Sequence, residues 1–290
     1  MSAGAAACGA APVATLERGR SFEAMSDLDA FLDRLRADRA AYRLPPQVHE
    51  QVRGWVRAVL ALLFPHAAPD AAGCDPARVR TEYDAVLATL ERLLASLGGD
   101  PARARAQAAA WAGELPAIRA ALFDDADAIW RMDPAATSVD EVIVAYPGFL
   151  AIACHRLAHP LERAGVPIVP RLVTEWAHER TGIDLHPGAT IGPRLAIDHG
   201  TGIVVGETAI IGADVRLYQG VTLGALRVEK AMARAKRHPT IEDEVTIYAN
   251  ATILGGDTVI GRGSTIGGNT WLTTSVAPGS RVMGGQRDDR

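Results

Sequence analysis

An aliphatic or small apolar residue returns at every sixth position through the last third of the chain, and this period is the strongest pattern in the sequence. The positions are Leu185, Ile191, Ile197, Ile203, Ala209, Val215 and Val221, and then, after an interruption, Ile241, Ile247 and Ile253. A period of six is neither the 3.6 of an α-helix nor the two of an ordinary strand. Fixed periods of this kind identify solenoids. The six-residue period predicts a left-handed parallel β-helix, in which three faces make one coil and the repeated aliphatic residues stack inside.

Two irregularities interrupt the repeat. After Ile253 the register moves by one residue, and the extra residue falls at Gly255-Gly256, as a bulged corner requires. Between Val221 and Ile241 the repeat positions are twenty residues apart where six would suffice, which predicts an excursion of roughly 14 residues. It ends in Arg237-His238-Pro239. Binding residues concentrate in loops that leave a rigid scaffold, so we expect function here.

Before residue 182 the apolar residues recur at helical spacing instead. They predict helices at 26–40, 47–64, 76–97, 114–131, 138–165 and 170–181, with a further helix starting at Asp100-Pro101 and interruptions near Pro147 and Pro167. We therefore divide the chain into a disordered tail at 1–20, a helical domain at 21–182, a β-helix domain at 183–282 with an excursion loop at 225–240, and a short tail at 283–290. The fold class is α+β in two segregated parts, an all-α domain followed by the β-helix.

Composition excludes some classes of protein. At 290 residues, 48% hydrophobic and 22% charged, the chain is long enough for two domains with real cores. No apolar run approaches the roughly 18 to 20 residues that span a bilayer, so we expect no membrane contact. Residues 1–20 lack the basic start and apolar core of a signal peptide. The cysteines Cys8, Cys74 and Cys154 show no CxxC spacing, which suits a reducing cytoplasm without disulfides.

Charge is unevenly placed along the chain. The net charge of −4 argues against a nucleic-acid partner. Both lysines, Lys230 and Lys236, lie in the interruption together with Arg227, Arg234 and Arg237. This cationic stretch is either a solvated loop or an arm that binds an anionic substrate, and the sequence leaves both interpretations open.

Four polar residues, Asp184, Asp198, His199 and Glu207, stand in a segment that is otherwise aliphatic and small. The spacing from Asp184 to His199 falls three positions short of a full coil, so we expect them on successive coils, although spacing does not settle their contact. A histidine oriented by a carboxylate is a general base suited to neutral pH. The alternative is a surface histidine that simply hydrogen-bonds a neighbouring carboxylate.

Several ordered motifs carry a family resemblance. They are Asp184-Leu185-His186-Pro187-Gly188-Ala189, the run Ile197 to Thr208, Gln219-Gly220-Val221-Thr222-Leu223-Gly224, and Arg237-His238-Pro239. Together they resemble serine O-acetyltransferase, a hexapeptide-repeat acyltransferase, in the branch with a longer helical N-terminus. The likeness covers about 100 β-helix residues and extends more weakly through Asp133-Pro134-Ala135 and His155-Arg156.

The resemblance implies transfer of acetyl from acetyl-CoA to the L-serine hydroxyl, the first step of cysteine biosynthesis, by direct attack on the thioester. By the family pattern His199 is the general base and Asp184 its orienting partner. Asp133 and Asp198 hold the serine ammonium, and Arg237 and His238 grip its carboxylate, since a zwitterion needs charges of both signs. No metal and no permanently bound cofactor are expected.

The resemblance also implies partners. Acetyl-CoA, the co-substrate, is expected in a groove between neighbouring β-helices, near the small residues Thr222, Gly224, Ala249, Gly267 and Gly268. We expect a homotrimer or a dimer of trimers, with the helical domain taking part in assembly, and feedback inhibition by L-cysteine. Members that bind the sulfhydrylase do so with a tail that ends in isoleucine. This chain ends in Asp288-Asp289-Arg290, so no complex of that kind is expected.

Other functions share this fold. One alternative is an acetyltransferase that acts on a sugar or antibiotic hydroxyl, which would not need the carboxylates for an ammonium group. Another is a zinc carbonic anhydrase, for which His186, His199 and His238 are available, or a non-catalytic scaffold. A covalent acetyl-cysteine route through Cys154 is disfavoured, because its neighbour His155 points away from it on a helix.

Overall fold

The computed structural model describes residues 17–41, 44–45, 47–67, 75–98, 100–227 and 235–283. Sequence features that lie outside the described residues include Cys8, Cys74, Lys230, Arg234 and the C-terminal residues 284–290. The chain divides into two compact units, Met1–Pro45 and Pro46–Arg290. The first unit contains helix α1 (Glu17–Ala41), whose apolar Leu28, Phe31 and Leu32 are exposed. All other described elements belong to the second unit.

Within the described residues, six α-helices and a short 3₁₀ turn open the second unit. They are α2 (Val48–Leu63), the 3₁₀ turn Pro65–Ala67, α3 (Pro76–Ser96), α4 (Pro101–Met132), α5 (Val139–Ala145), α6 (Pro147–Arg163) and α7 (Val169–Thr181). Asp75 and Asp100 cap α3 and α4 by accepting a backbone N–H, and each is followed by a proline in the first turn. Gly182, with φ 70°, ends α7 in the left-handed conformation that favours glycine.

One helix prediction needed correction and another is confirmed. The stretches predicted to begin at residues 100 and 114 form one continuous helix, α4, which carries Pro116 in its interior. The stretch 138–165, predicted to be interrupted near Pro147, is two helices, α5 and α6, which meet at a 78° bend. Tyr146 at that bend precedes Pro147 and is extended, as residues before proline usually are.

The length and hydropathy of the helices also bear on membranes. No single helix in the described ranges has both the length and the apolar content to cross a bilayer; α5 and α6 meet that test only as a bent pair. Most of α6 is instead buried in the protein core.

Short strands fill the rest of the described chain and confirm the predicted parallel β-helix. They are β1 (Asp184–Leu185), β2 (Thr190–Ile191), β3 (Ala196–Asp198), β4 (Val204–Val205), β5 (Ile210–Ile211), β6 (Arg216–Tyr218), β7 (Thr222–Gly224), β8 (Thr240–Ile241), β9 (Thr246–Ile247), β10 (Thr252–Leu254), β11 (Val259–Ile260), β12 (Thr265–Ile266), β13 (Trp271–Leu272) and β14 (Arg281–Val282). All of these strands pair in parallel. Face 1 is β1-β4-β7-β10-β13, face 2 is β2-β5-β8-β11, and face 3 is β3-β6-β9-β12-β14.

The pairing corrects the predicted register in the first coil. Asp184 pairs with Val204, and Val204 pairs in turn with Thr222, so the first coil is longer than the second by two positions. The corner after β3 holds these extra residues. Beyond it the strand residues that stack on Leu185 are Val205, Leu223, Ile253 and Leu272, and not the series that starts at Ile203.

The two predicted irregularities have different outcomes. Thr240 pairs with Val259, one position more than a regular coil would place between them, so the one-residue slip after Ile253 is confirmed. The excursion is shorter than expected. The strands that flank it begin at Thr222 and Thr240, and this separation is three times the regular spacing of six. The excursion therefore adds the length of two hexapeptides, which is two residues fewer than the predicted length.

Helix α6 anchors the helices of this unit to the first coil. The Arg156 guanidinium donates to Ile191 O at 3.1 Å and Gly192 O at 2.8 Å, and it pairs with Asp125 of α4, a fully buried carboxylate that also accepts Leu195 N–H. On the same helix, the buried His155 bonds Ala189 O through Nε2. The first coil is thus covered by helix and held in a defined position against α4.

Candidate active site

The corner with the two extra residues carries His199. It joins β3, which ends at Asp198, to β4, and three of its residues have positive φ: His199 at 55°, Gly200 at 82° and Gly202 at 83°. A Cβ atom on Gly200 would lie 2.4 Å from Ile183 Cδ1, so the corner needs glycine there. The turn leaves the His199 side chain 72% exposed. Its imidazole is therefore open to a substrate or a second protein chain.

Two carboxylates lie beside this histidine. The His199 Nε2 atom is 3.9 Å from Asp198 Oδ1. Asp133, which ends α4, accepts the Ala135 N–H at 2.8 Å and the Tyr146 hydroxyl at 2.6 Å. The structure thus brings three of the predicted residues, Asp133, Asp198 and His199, to one corner, and Tyr146 joins them.

Charge at this corner is strongly biased. The hydrogen bond from Tyr146, the Ala135 N–H and the nearby His199 lower the pKa of Asp133. In turn, the bond to Asp133 is the main cause that raises the pKa of Tyr146 to about 12. Asp133 is therefore an ionised carboxylate and Tyr146 a neutral donor at neutral pH. The corner suits a cationic group beside a base.

Asp184 begins β1, next to this corner, but its recorded partner is a different residue. Because the first coil is lengthened, Asp184 pairs with Val204, which lies five positions after His199. The sequence spacing had predicted an offset of three positions between His199 and the residue opposite Asp184. Its Oδ1 lies 3.6 Å from Arg171 Nη1 on α7. Its assignment as the orienting partner of His199 stays a prediction.

A second cluster occupies the corners that join face 1 to face 2. Arg237, at the end of the excursion, forms an ion pair with Glu207. His238 is 7% exposed and accepts the Thr208 N–H at Nδ1, at 3.0 Å, so the neutral ring carries its proton on Nε2. Burial, then the charge of Arg237, lowers the pKa of His238 to about 4. This cluster therefore offers one cation and one neutral N–H donor.

One glycine makes room for that histidine. A Cβ atom on Gly206 would lie 2.1 Å from both Cδ2 and Nε2 of His238. Burial also lowers the pKa of the neighbouring His186, which keeps a second neutral imidazole in the cluster. Any side chain at position 206 would displace the His238 ring.

The two clusters lie on different edges of the solenoid. We call the corners from face 3 to face 1 the His199 edge (199–202, 219–220, 249–250 and 268–269) and those from face 1 to face 2 the Arg237 edge (186–188, 206–208 and 236–238). Face 1 lies between them. Within one chain, the predicted ammonium-binding and carboxylate-binding residues therefore stand on opposite sides of a face.

The small residues predicted to contact acetyl-CoA lie on face 1 and the His199 edge. Thr222 and Gly224 belong to β7, while Ala249 and Gly267-Gly268 follow β9 and β12 at corners above His199. A Cβ atom on Gly224 would come within 2.8 Å of Leu254 Cδ2, and one on Gly268 within 3.0 Å of Ala249 O. Close packing between coils therefore favours glycine at both positions, whether or not they also contact acetyl-CoA.

Sequence reasoning missed Tyr146 and Tyr218. Tyr146 lies beyond a helix break from Asp133, and no periodic pattern marks it. Tyr218 stands opposite Asp198 in β6 and stacks on Tyr248 with ring centroids 4.9 Å apart. The six-residue period marks the inward positions. Tyr218 does not fall on one of them, so the period could have identified it as an outward-facing aromatic residue beside Asp198.

The histidines proposed for a zinc site are divided between the edges. His186 and His238 share the Arg237 edge, whereas His199 lies on the other. Within the described ranges, the one grouping of possible metal ligands is Glu175, His178 and Asp184. Arg171 is already 2.5 Å from Glu175 Oε1 and 3.6 Å from Asp184 Oδ1. The Arg171 guanidinium in that position balances the acids without a metal ion.

The chain is similar in sequence and in structure to known proteins. No family model matches the chain. A plasmid-encoded serine acetyltransferase of Synechococcus elongatus is 52% identical over 182 residues, 61% of this chain and 57% of the relative, so the match spans little more than half of that protein. A serine acetyltransferase of Mycobacterium tuberculosis is 46% identical over 57% of this chain and 69% of its own length. Among solved structures, serine acetyltransferase isoform 3 of Entamoeba histolytica, in complex with cysteine, has a TM-score of 0.74 and 33% identity over 81% of this chain and 82% of that one.

Proposed function

The chain belongs to the serine acetyltransferase family, and from that premise we propose that it transfers acetyl from acetyl-CoA to the hydroxyl of L-serine with His199 as the general base. The observation that carries the assignment is the corner where His199 stands exposed beside Asp198 and the ionised Asp133. His199 takes the hydroxyl proton, the serine oxygen attacks the thioester carbon, and CoA leaves as its thiolate. The products are O-acetyl-L-serine and CoA.

Serine is a zwitterion, and the two clusters match its two ends. Asp133 and Asp198 receive the ammonium group, because both carboxylates face the corner that holds the base. The carboxylate goes to Arg237 and to the Nε2–H of the neutral His238. A guanidinium suits a carboxylate geometrically, and Glu207 holds it in place until substrate arrives.

A complete site then needs two chains. The ammonium-binding and carboxylate-binding residues lie on different edges of one solenoid, with face 1 between them. We propose a homotrimer, or a dimer of trimers, in which the His199 edge of one chain faces the Arg237 edge of its neighbour. Acetyl-CoA runs along that groove past Thr222, Gly224, Ala249, Gly267 and Gly268.

One proposal about a second ligand follows from the same site. The Entamoeba relative is solved with cysteine, and cysteine carries the same ammonium and carboxylate as serine. We propose that L-cysteine inhibits this chain by competing with serine, with its thiol beside His199.

We also propose that the enzyme acts in the cytoplasm, because the implied pathway is cysteine biosynthesis.

Asp184 and Asp198 are rival orienting groups for His199, and substitution separates them. We propose Asp184 as the orienting carboxylate and Asp198 as an ammonium ligand. Asp184→Asn should then lower kcat with little change in KM for serine, while Asp198→Asn should raise KM. The reverse pattern would assign the orienting role to Asp198, whose carboxylate is the nearer in the isolated chain.

The function is tested by thiol release from acetyl-CoA with L-serine, with sugar acceptors in parallel. His199→Ala should lower kcat by about 10²- to 10⁴-fold, the contribution of a general base. His49→Ala, at a surface histidine of α2, is the matched control and should retain activity. Release with a sugar but not with serine would keep the acetyl-transfer chemistry and reject the substrate.

A further inference from the structure

A cleft of about 580 Å³ lies between α2, the α5–α6 bend and α7, and the proposed reaction does not use it. Its volume falls within the range of small-molecule sites, roughly 300 to 1,000 Å³. Its wall combines apolar side chains, among them Leu60, Ile143 and Leu150, with polar groups. All of its lining residues belong to the second unit of the chain.

Two arginines stand at this cleft without an acidic partner in the described part of the chain. The guanidinium carbons of Arg57 and Arg180 lie 6.0 and 5.3 Å from the ring centroid of Trp176, which is itself 4% exposed. No ion pair is recorded for either guanidinium among those residues, although acids are close in sequence. Glu179, beside Arg180, pairs instead with Arg53.

This combination favours one chemical class of ligand. Two guanidiniums held against one indole ring offer ten N–H donors and two charges to an anion, and arginine suits a carboxylate in particular. The apolar side chains of the wall favour a hydrocarbon body attached to it. Phe64 and Phe149, in edge-to-face contact at 5.4 Å, are also lining residues, and although they are only 2 to 3% exposed they favour an aromatic body over an aliphatic one. The cleft therefore fits an aromatic carboxylate better than a free inorganic anion or a neutral compound.

The cleft shares a residue with the proposed serine site. Tyr146 lines the cleft, and its hydroxyl donates to Asp133 Oδ2 at 2.6 Å. It also lies at the 78° bend between α5 and α6, whose residues Ile143 to Leu150 border the cleft. A ligand that moves this bend would change the hydrogen bond by which Tyr146 holds the Asp133 carboxylate.

We propose that the cleft is a second ligand site, for an aromatic carboxylate bound by Arg57 and Arg180, and that its occupancy alters serine binding through Tyr146. The ligand site stands on its own geometry. The effect on serine rests on the proposed function, in which Asp133 binds the ammonium group.

Isothermal titration calorimetry with naphthalene-2-carboxylate tests the site without any activity measurement. The neutral naphthalene-2-carboxamide is the matched ligand. The double variant Arg57→Gln/Arg180→Gln should bind the carboxylate at least about tenfold more weakly than the wild type and the carboxamide equally well. Arg119→Gln, which removes an arginine stacked 4.6 Å from Phe123 outside the cleft, should bind like the wild type. Both substituted arginines of the double variant are exposed, and a melting curve checks its fold.

The outcomes separate cleanly. A carboxylate that binds no better than the carboxamide, or binds the double variant as tightly as the wild type, overturns the site. With the probe bound, the KM for serine should change at least threefold, and Tyr146→Phe should abolish that change. An unchanged KM despite measured binding overturns the coupling, while a chain without serine acetyltransferase activity leaves the calorimetric result valid.

Discussion

One hydroxyl group holds a carboxylate that the proposed serine site depends on. The Tyr146 hydroxyl is the largest cause of the lowered pKa of Asp133, so in Tyr146→Phe that pKa rises toward its ordinary value. Even at that ordinary value Asp133 is ionised at neutral pH, so the variant loses a hydrogen bond and not the charge. We expect the KM for serine at neutral pH to rise about three- to tenfold, since a hydrogen bond to a charged group is lost. Steady-state kinetics with serine measures the change.

The control for that experiment is Tyr83→Phe. Tyr83 is a half-buried tyrosine of α3 outside the His199 edge, so its hydroxyl should not affect serine binding. If both variants raise the KM for serine equally, the effect is general and Tyr146 does not position Asp133.

Gly206 tests the carboxylate end of the site. Its φ is not positive, so alanine is tolerated by the backbone, but the new Cβ would meet the His238 ring at 2.1 Å. The ring must move and lose the Thr208 N–H bond to Nδ1. We expect Gly206→Ala to raise the KM for serine about tenfold or more while thermal unfolding shows a folded protein. Gly113→Ala, where no atom lies within 4 Å of the new Cβ, should leave KM unchanged; a similar rise there would remove His238 from the explanation.

At the scale of the element, the sequence predicted the solenoid but placed its inward strand residues two positions early after the first coil. The reason is physical. Ile203 and Val215, which lie two positions before the strand residues Val205 and Leu217, are as deeply buried as those residues, at 0 to 1% exposure. Both series are aliphatic and both have period six, so the pattern alone cannot say which series forms the strands. Only the extra residues around His199 decide which of the two series forms the strands, and the conformation of these residues depends on packing against Ile183.

The helix-to-coil junction depends on one buried ion pair. Asp125 is fully buried, and Arg156, which binds it, also donates to two carbonyls of the first coil. Removing one member of a buried pair leaves the other charge uncompensated. We expect Asp125→Asn to lower the free energy of unfolding by about 3 kcal/mol in a denaturant titration.

An exposed ion pair between two of the same helices supplies the comparison. Arg163 of α6 and Glu114 of α4 are 3.0 Å apart, with side chains 60% and 44% exposed. Glu114→Gln should cost less than about 1 kcal/mol, as surface pairs usually do. Equal losses in the two variants would show that the buried pair does not anchor the first coil.

At the scale of the whole molecule, the sequence predicted most of the site residues but not their distribution. Asp133, Asp198 and His199 share one corner and Arg237 and His238 share another, yet sequence order does not reveal which edge each corner occupies. That depends on the faces, which in turn depend on the lengthened first coil and on the true length of the excursion. Tyr146 reaches Asp133 from its place at the bend between α5 and α6, a tertiary feature with no local signal beyond Pro147.

Division of the site between two edges predicts complementation between inactive chains. His199→Ala lacks the base, and Arg237→Ala lacks the cation for the serine carboxylate, so each alone should be inactive. When the two variants are co-expressed, roughly a quarter of the grooves between random neighbours pair an intact His199 edge with an intact Arg237 edge. Activity should therefore return to about a quarter of the wild-type level in the mixed oligomers. Mixed oligomers that stay inactive would mean that the base and the cation act within the same chain, and the shared groove would have to be abandoned.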